Sequence, residues 1–447
     1  MKKNKVKIAI IILSIIGTVS SIILISKVAG KSASYNNIIL IAIDTLRADH
    51  LGCYGYHRNT SPHIDLLAKD SLLFEKTVAQ NPWTLPSFAS MFTSLYPSQH
   101  KVGLIEKKLA ESYLTLAEIL KGKGYYNIAF TGGAYLSKEF GLSQGFDVFE
   151  EFNRPSSNDI EEIISAAIEW LEKEKKEKFF MFIHSYQPHS PYWPPADYDI
   201  FYRNYTGRIT GDLWKDVQIV FGELESKYKT IPSHDRERLI SLYDGDILYT
   251  DVWIGRFIKT LKELNLYEES LIIFTSDHGE EFNEHGAWEH GHTLYKELLN
   301  VPLIIKFPNG AYKGVADKLA ELIDIMPTIL DFFKIKINHK IDGQSLLRKS
   351  GNNFAYSQAF PKPNLLSFQE GNIKIIFNFD KRSYEIFNLN DDPDEKNNIF
   401  TSEIVNFYKP KIKLYPQLEL KKEAFQLNKK ELSEEVVEKL RALGYIK

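Results

Sequence analysis

From residue 36 onward, short and almost unbroken apolar runs alternate with longer stretches in which apolar positions recur every three or four residues. The apolar runs, at residues 37–44, 127–132, 178–185, 271–277 and 301–307, predict strands. Because consecutive positions are apolar, both faces of each strand must be covered. The amphipathic stretches predict the covering helices at about 60–73, 86–95, 113–122, 158–175, 235–265 and 322–333. This alternation predicts an α/β fold with a mostly parallel central sheet flanked by helices. Residues 187–215, rich in Pro, Tyr and Trp, read as a long surface excursion. After a loop-like stretch at 340–352 come strand patterns at 372–379 and 383–389, which suggest a small antiparallel C-terminal subdomain. A last helix at about 432–443 closes the chain. The expected division is 1–35, 36–345 and 346–447.

The N-terminus departs from this pattern. Lys2, Lys3, Lys5 and Lys7 precede residues 8–26, which carry no charge. As a helix these residues would be about 28 Å long, close to the thickness of a bilayer's hydrocarbon core. The expectation is a single-pass N-terminal transmembrane helix with a cytoplasmic N-terminus and the body of the protein outside the cytoplasm. A cleaved signal peptide is the rival, since Val28-Ala29-Gly30 offers small residues, although the apolar run is long for one. Elsewhere the composition is that of a folded globular protein, with Lys+Arg 55 against Asp+Glu 58, a balance that argues against a nucleic-acid partner. The single cysteine, Cys53, excludes an intramolecular disulfide and fits either redox compartment.

In parallel sheets, ligands sit beyond the carboxyl ends of strands, so polar residues that follow an apolar strand directly are candidates for chemistry. Asp44 ends the first strand, and Asp277-His278-Gly279-Glu280 follows the strand at 271. If those strands are neighbours, two carboxylates and an imidazole converge, a donor set that suits Zn²⁺ or Mn²⁺, with Mg²⁺ or Ca²⁺ if the imidazole stays out. Either Asp alone could be a turn or cap residue. Thr84, two residues before Pro86 at the start of a helical pattern, reads as an ordinary N-cap. The same position is also an anion site, because helix N-terminal amides and the dipole attract phosphate or sulfate. Cap and nucleophile are compatible roles.

These residues belong to longer strings. Ile41-Ala-Ile-Asp44-Thr-Leu-Arg47-Ala-Asp49 is followed by Thr84-Leu-Pro-Ser-Phe88 and Thr93-Ser-Leu-Tyr-Pro-Ser-Gln-His100. Further on come Pro188-His189-Ser-Pro-Tyr192, Tyr243-Asp-Gly-Asp246, Thr275-Ser-Asp277-His278-Gly-Glu280, Glu284-His285-Gly286, His290-Gly-His292 and Leu303-Ile-Ile-Lys306. The chain ends with Tyr384-Glu-Ile-Phe-Asn-Leu-Asn-Asp-Asp-Pro393 and Leu440-Arg-Ala-Leu-Gly444-Tyr445. In this order the set resembles the sulfatases of the alkaline phosphatase superfamily, over nearly all of the chain after residue 36.

The resemblance implies an ester hydrolase with Asp44, Thr84, Asp277 and His278 around a divalent metal. His189 and His290 would be partners for substrate oxygens or the leaving group, with His292, Arg47 and His100 as substrate contacts. The alternatives for the last group are an ion pair of Arg47 with Asp49, a structural role for His100, and His292 exchanging roles with His290. His285 reads as a solvated loop histidine. Three departures stand out. Thr84 replaces the Cys or Ser that sulfatases convert to formylglycine, Phe88 replaces the motif's Arg, and Thr131-Gly132-Gly133 stands where a Lys-x-His is expected. Threonine nucleophiles occur in the wider superfamily among phosphodiesterases and head-group transferases. The leading expectation is therefore in-line attack by a metal-held Thr84 on phosphorus or sulfur, through a covalent threonine ester. The other readings are a sulfatase acting without formylglycine and an inactive member that binds an anionic glycan or lipid. The expected partners are an anionic ester, on a glycan or lipid head group, and the membrane.

Overall fold

Along strand β1 (Asn37–Ile43), Ile38, Leu40 and Ala42 enter one apolar core while Ile39, Ile41 and Ile43 enter another, and all seven residues are buried. A strand apolar at every position needs such a two-sided setting. In this computed structural model, which describes residues 37–103, 106–154, 159–174, 176–209, 231–348, 353–360, 363–415 and 432–446, that setting is an eight-stranded sheet between two helical layers. Its other strands are β2 (Leu72–Val78), β3 (Tyr126–Thr131), β4 (Val148–Glu151), β5 (Phe179–Ser185) and β6 (Ser270–Thr275). A two-stranded hairpin of β7 (Glu281–Phe282) and β8 (Trp288–Glu289) precedes β9 (Leu303–Lys306) and β10 (Gly314–Glu321).

The order across the sheet is β10-β2-β9-β6-β1-β5-β3-β4. Only β9 runs against its neighbours, and the other pairings are parallel. β1 therefore lies between β5 and β6, with Ala42 beside both His184 and Thr275. Helices Pro62–Lys69, Ile160–Lys173 and Ser233–Glu263 cover one face. Helices Thr84–Thr93, Leu116–Lys121, Ile325–Phe332 and Glu434–Ala442 cover the other. A second sheet, fully antiparallel, runs in sequence order through β11 (Phe354–Ala359), β12 (Leu365–Glu370), β13 (Ile373–Asn378) and β14 (Ser383–Asn388).

The predicted α/β architecture is present, with three strands unforeseen in the main sheet and two in the small one. β2 and β10 carry Glu75, Lys76, Asp317 and Lys318 within their runs, and β4 is four residues long, so none shows an unbroken apolar pattern. The excursion after residue 187 does not begin on the surface: Gln187, His189 and Ser190 are buried. The predicted membrane span lies outside the described residues; among those described, no helix is long and apolar enough to cross a membrane.

Candidate active site

Because β1 and β6 are parallel neighbours, Asp44 and Asp277 leave the sheet side by side at the same edge. Thr45, directly after Asp44, takes a left-handed φ of 55°, costly for a β-branched residue. It is held there by the Tyr243 hydroxyl donating to its carbonyl at 2.7 Å and by its own N–H facing Asp277 Oδ1 at 3.4 Å. The Thr84–Thr93 helix is tied to the same edge by Ser87 Oγ, which donates to the Asp277 carbonyl at 2.7 Å. Asp44, Thr84, Asp277 and His278 are all fully buried.

One ligand atom each from Asp44, Asp277 and His278 lies within 4.8 Å of the others. His278 Nδ1 donates to the Gly279 carbonyl at 2.9 Å, so Nε2 carries a lone pair. That lone pair faces Asp277 Oδ2 at 3.3 Å and Asp44 Oδ1 at 3.9 Å. Neither oxygen has a hydrogen-bond donor among the described residues. Burial, and then the charges of Asp277 and Glu280, push the Asp44 carboxyl well above the ordinary carboxylate range, and burial raises Asp277 as well. Converging acceptors with no donor among them fit a divalent cation.

Thr84 does not cap its helix. The N-cap position belongs to Trp83, no side chain caps there, and Thr84 is the first helical residue. Its Oγ1 instead stands 3.3 Å from Asp44 Oδ2, 3.4 Å from His278 Nε2 and 2.9 Å from the Tyr445 hydroxyl. His189 and His290 complete the cluster, their rings 4.9 Å apart and His290 4.5 Å from His278. His290 Nδ1 faces Glu280 Oε1 at 2.8 Å, and His189 Nδ1 donates to the Ser190 carbonyl, so both rings keep Nε2 for the site. Burial drives the His189 pKa down to about 3 and lowers His290 well below the usual histidine value, so both are neutral at pH 7.

Three expected substrate contacts are engaged elsewhere. Arg47 takes the ion-pair alternative: it bonds Asp49 through two nitrogens at 2.9 and 2.8 Å and Glu284 Oε1 at 2.7 Å. His100 is fully buried between Ser90 Oγ at 2.9 Å and the Val102 N–H at 3.1 Å. His292 is held by Glu281 Oε2 at 2.9 Å and by the His290 carbonyl at 3.0 Å. His285, expected in solvent, is stacked on Tyr295 and bound to Glu297.

Two residues near Thr84 escaped the sequence reading. His184, fully buried, stands at the end of the apolar β5 run, where the strand-end rule that marked Asp44 and Asp277 could have found it. Its Nε2 is 3.4 Å from Asp44 Oδ2. Tyr445 follows the closing helix, and no local pattern places it beside Thr84. Phe88, in the position of the expected Arg, packs edge-on against His184 and Phe182, with ring centroids 5.1 and 5.8 Å away.

A family model described as Sulfatase matches residues 36–335, and one described as N-sulphoglucosamine sulphohydrolase, C-terminal, matches residues 283–423. An arylsulfatase of Clostridium perfringens is 26% identical over 386 residues, covering 69% of this chain and 77% of the relative. An N-acetylglucosamine-6-O-sulfatase of Bacteroides thetaiotaomicron is 24% identical, covering 81% and 82%. Among solved structures, a protein in complex with its substrate D-glucosamine-2-N,6-O-disulfate superposes with a TM-score of 0.69 at 18% identity, covering 85% of this chain and 96% of the other. The phosphonate monoester hydrolase of Agrobacterium radiobacter superposes with a TM-score of 0.66 at 19% identity, covering 85% and 94%.

Proposed function

The chain belongs to the sulfatase family, and from that premise we propose that it is a metal-dependent hydrolase of anionic esters whose nucleophile is Thr84. The observation that carries this reading is the Thr84 hydroxyl, aimed into the Asp44, Asp277 and His278 cluster instead of onto its own helix end. A divalent cation held by those three residues, Zn²⁺ or Mn²⁺ by donor type, would supply positive charge for the substrate's oxygens and ease ionisation of the hydroxyl. Thr84 Oγ attacks the central sulfur or phosphorus opposite the leaving oxygen. The new bond is the threonine ester, and the bond that breaks is the one to the leaving alcohol. One proton passes from Thr84 to that alcohol, and His189 and His290 are the partners for the substrate's oxygens and the leaving group. Water then cleaves the threonine ester and regenerates the hydroxyl; an acceptor alcohol in place of water would make the same step a transfer.

Sulfate esters on sugars are the first substrate class, supported by relatives named arylsulfatase and N-acetylglucosamine-6-O-sulfatase. Phosphoric or phosphonic esters are the second, supported by Thr84 itself, which stands where sulfatases carry the Cys or Ser that becomes formylglycine. The uncharged residues 8–26 support a membrane-anchored enzyme acting outside the cytoplasm on a glycan or lipid head group.

The purified full-length protein is assayed on aryl sulfate, aryl phosphate and bis-aryl phosphate, with and without added Mn²⁺ or Zn²⁺. Metal-stimulated release from one of them is expected, and Thr84→Ala should abolish it with metal content nearly unchanged. Undiminished turnover by that variant would remove Thr84 from the mechanism.

A further inference from the structure

The end of the chain is built to enter the site. The Glu434–Ala442 helix starts on Ser433, whose hydroxyl accepts from the Val436 N–H. Within the helix, fully buried Lys439 pairs with Asp159 Oδ2 at 3.1 Å. Asp159 Oδ1 in turn accepts from Ser185 Oγ at 2.6 Å and from the Tyr186 N–H at 3.2 Å, which ties the helix to the end of β5. The helix stops in a Schellman turn, with Gly444 N–H on the Arg441 carbonyl and Tyr445 N–H on the Leu440 carbonyl, both at 3.0 Å. Gly444 has φ 80° and redirects the chain so that the next side chain turns back over the sheet edge.

That side chain is Tyr445. Its ring packs edge-on against Tyr135, centroids 4.8 Å apart, and lies 5.2 Å from the His189 ring. Its hydroxyl is 2.9 Å from Thr84 Oγ1 and 2.8 Å from His189 Nε2. A tyrosine used only for packing needs one partner for its hydroxyl. Here both partners are side chains of the site.

We propose that Tyr445 is a substrate-contacting residue, whose hydroxyl, held between Thr84 and His189, donates a hydrogen bond to an oxygen of the tetrahedral oxyanion when that group binds. The inference rests on the reading of Thr84 as the nucleophile. It adds a residue from the far end of the chain to a site otherwise made of strand-end residues.

Inorganic sulfate and inorganic phosphate, titrated calorimetrically into full-length protein supplied with Mn²⁺, test it without turnover. Wild-type protein should bind one anion per chain. Tyr445→Phe keeps the ring against Tyr135 and should bind about tenfold more weakly, the effect of one lost hydrogen bond to a charged group. Deletion of residues 445–447 should weaken binding at least as much. Equal affinity in Tyr445→Phe would make Tyr445 a packing residue, tighter binding would make it a plug, and absence of binding to wild type would remove the oxyanion site; each overturns the proposal. A wild type that binds the anion but turns over no ester would instead count against the function proposed above.

Discussion

Thr84 and Arg47 illustrate how a side chain's role is decided by what surrounds its polar atoms. Thr84 was legible as a helix-start residue, yet the hydroxyl ignores its own helix, because Trp83 holds the N-cap position and the acceptors lie across the sheet edge. Arg47 is the reverse case: three residues after Asp44, it spends its guanidinium on Asp49 and Glu284. Arg47→Met should therefore lower stability by about 1–3 kcal/mol, since the buried Glu280 carbonyl and the half-buried Glu284 lose their donor, with KM unchanged. A raised KM at unaltered denaturant midpoint would restore it as a substrate contact. Phe88 explains one departure from the family pattern. Enclosed by Phe92, Phe182 and His184, it sits in largely aromatic surroundings that suit an arginine poorly. Phe88→Arg should deplete soluble folded protein, as an unpaired buried charge does.

At the scale of elements, the long Ser233–Glu263 helix braces the loop after β1 through Asp244, which binds His50 Nδ1, the Tyr56 hydroxyl and Arg58, each at 2.7 Å. Burial alone would raise the Asp244 pKa, but the charge and hydrogen bonds of these partners prevail and hold it below the usual value. A carboxyl depressed in the folded state contributes stability above its unfolded pKa of about 3.9 and loses it as pH falls through the folded value. Asp244→Asn should thus be less stable at pH 7 and show a shallower loss on acidification below about pH 4, read by urea unfolding at both pH values. A parallel pH dependence in variant and wild type would reject the linkage. The closing helix makes a second case. Gly444→Ala meets no atom within 4 Å, so only backbone strain opposes it, about 1–2 kcal/mol at φ 80°. Weakened anion binding is expected alongside, because Tyr445 follows that turn.

At the scale of the whole molecule, the fold brings together residues from five distant stretches of sequence, and the repulsion between Asp44 and Asp277 should make it respond to metal. Asp44 and Asp277 contribute buried oxygens without donors among the described residues. A cation at about 100 times its Kd should stabilise the protein by about 2.7 kcal/mol. Thermal unfolding with a chelator, and again after adding back Zn²⁺ or Mn²⁺, measures this, and Asp277→Asn should abolish the difference. An unchanged midpoint on chelation would argue against the cluster as a metal centre.

The division between sequence and structure follows from the range of the forces involved. Unbroken apolar runs announce β1, β3, β5, β6 and β9, because a strand covered on two faces must be apolar at successive positions, and strand-end polarity marks Asp44 and Asp277. The helices that cover the main sheet were legible for the same reason, since one buried face imposes its own period, whereas the Ser402–Ile412 helix, with Ile412 its one buried residue, was not. Strands β2 and β10 were not, because charges interrupt their runs. The direction of β9, the pairing of β1 with β6, the retreat of Arg47, His100 and His292 into their own contacts, and the arrival of Tyr445 361 positions from Thr84 belong to the tertiary structure alone. A local pattern records which surfaces a segment must bury. Which distant segment buries them, and which polar groups then meet without water, is decided only when the sheet is assembled.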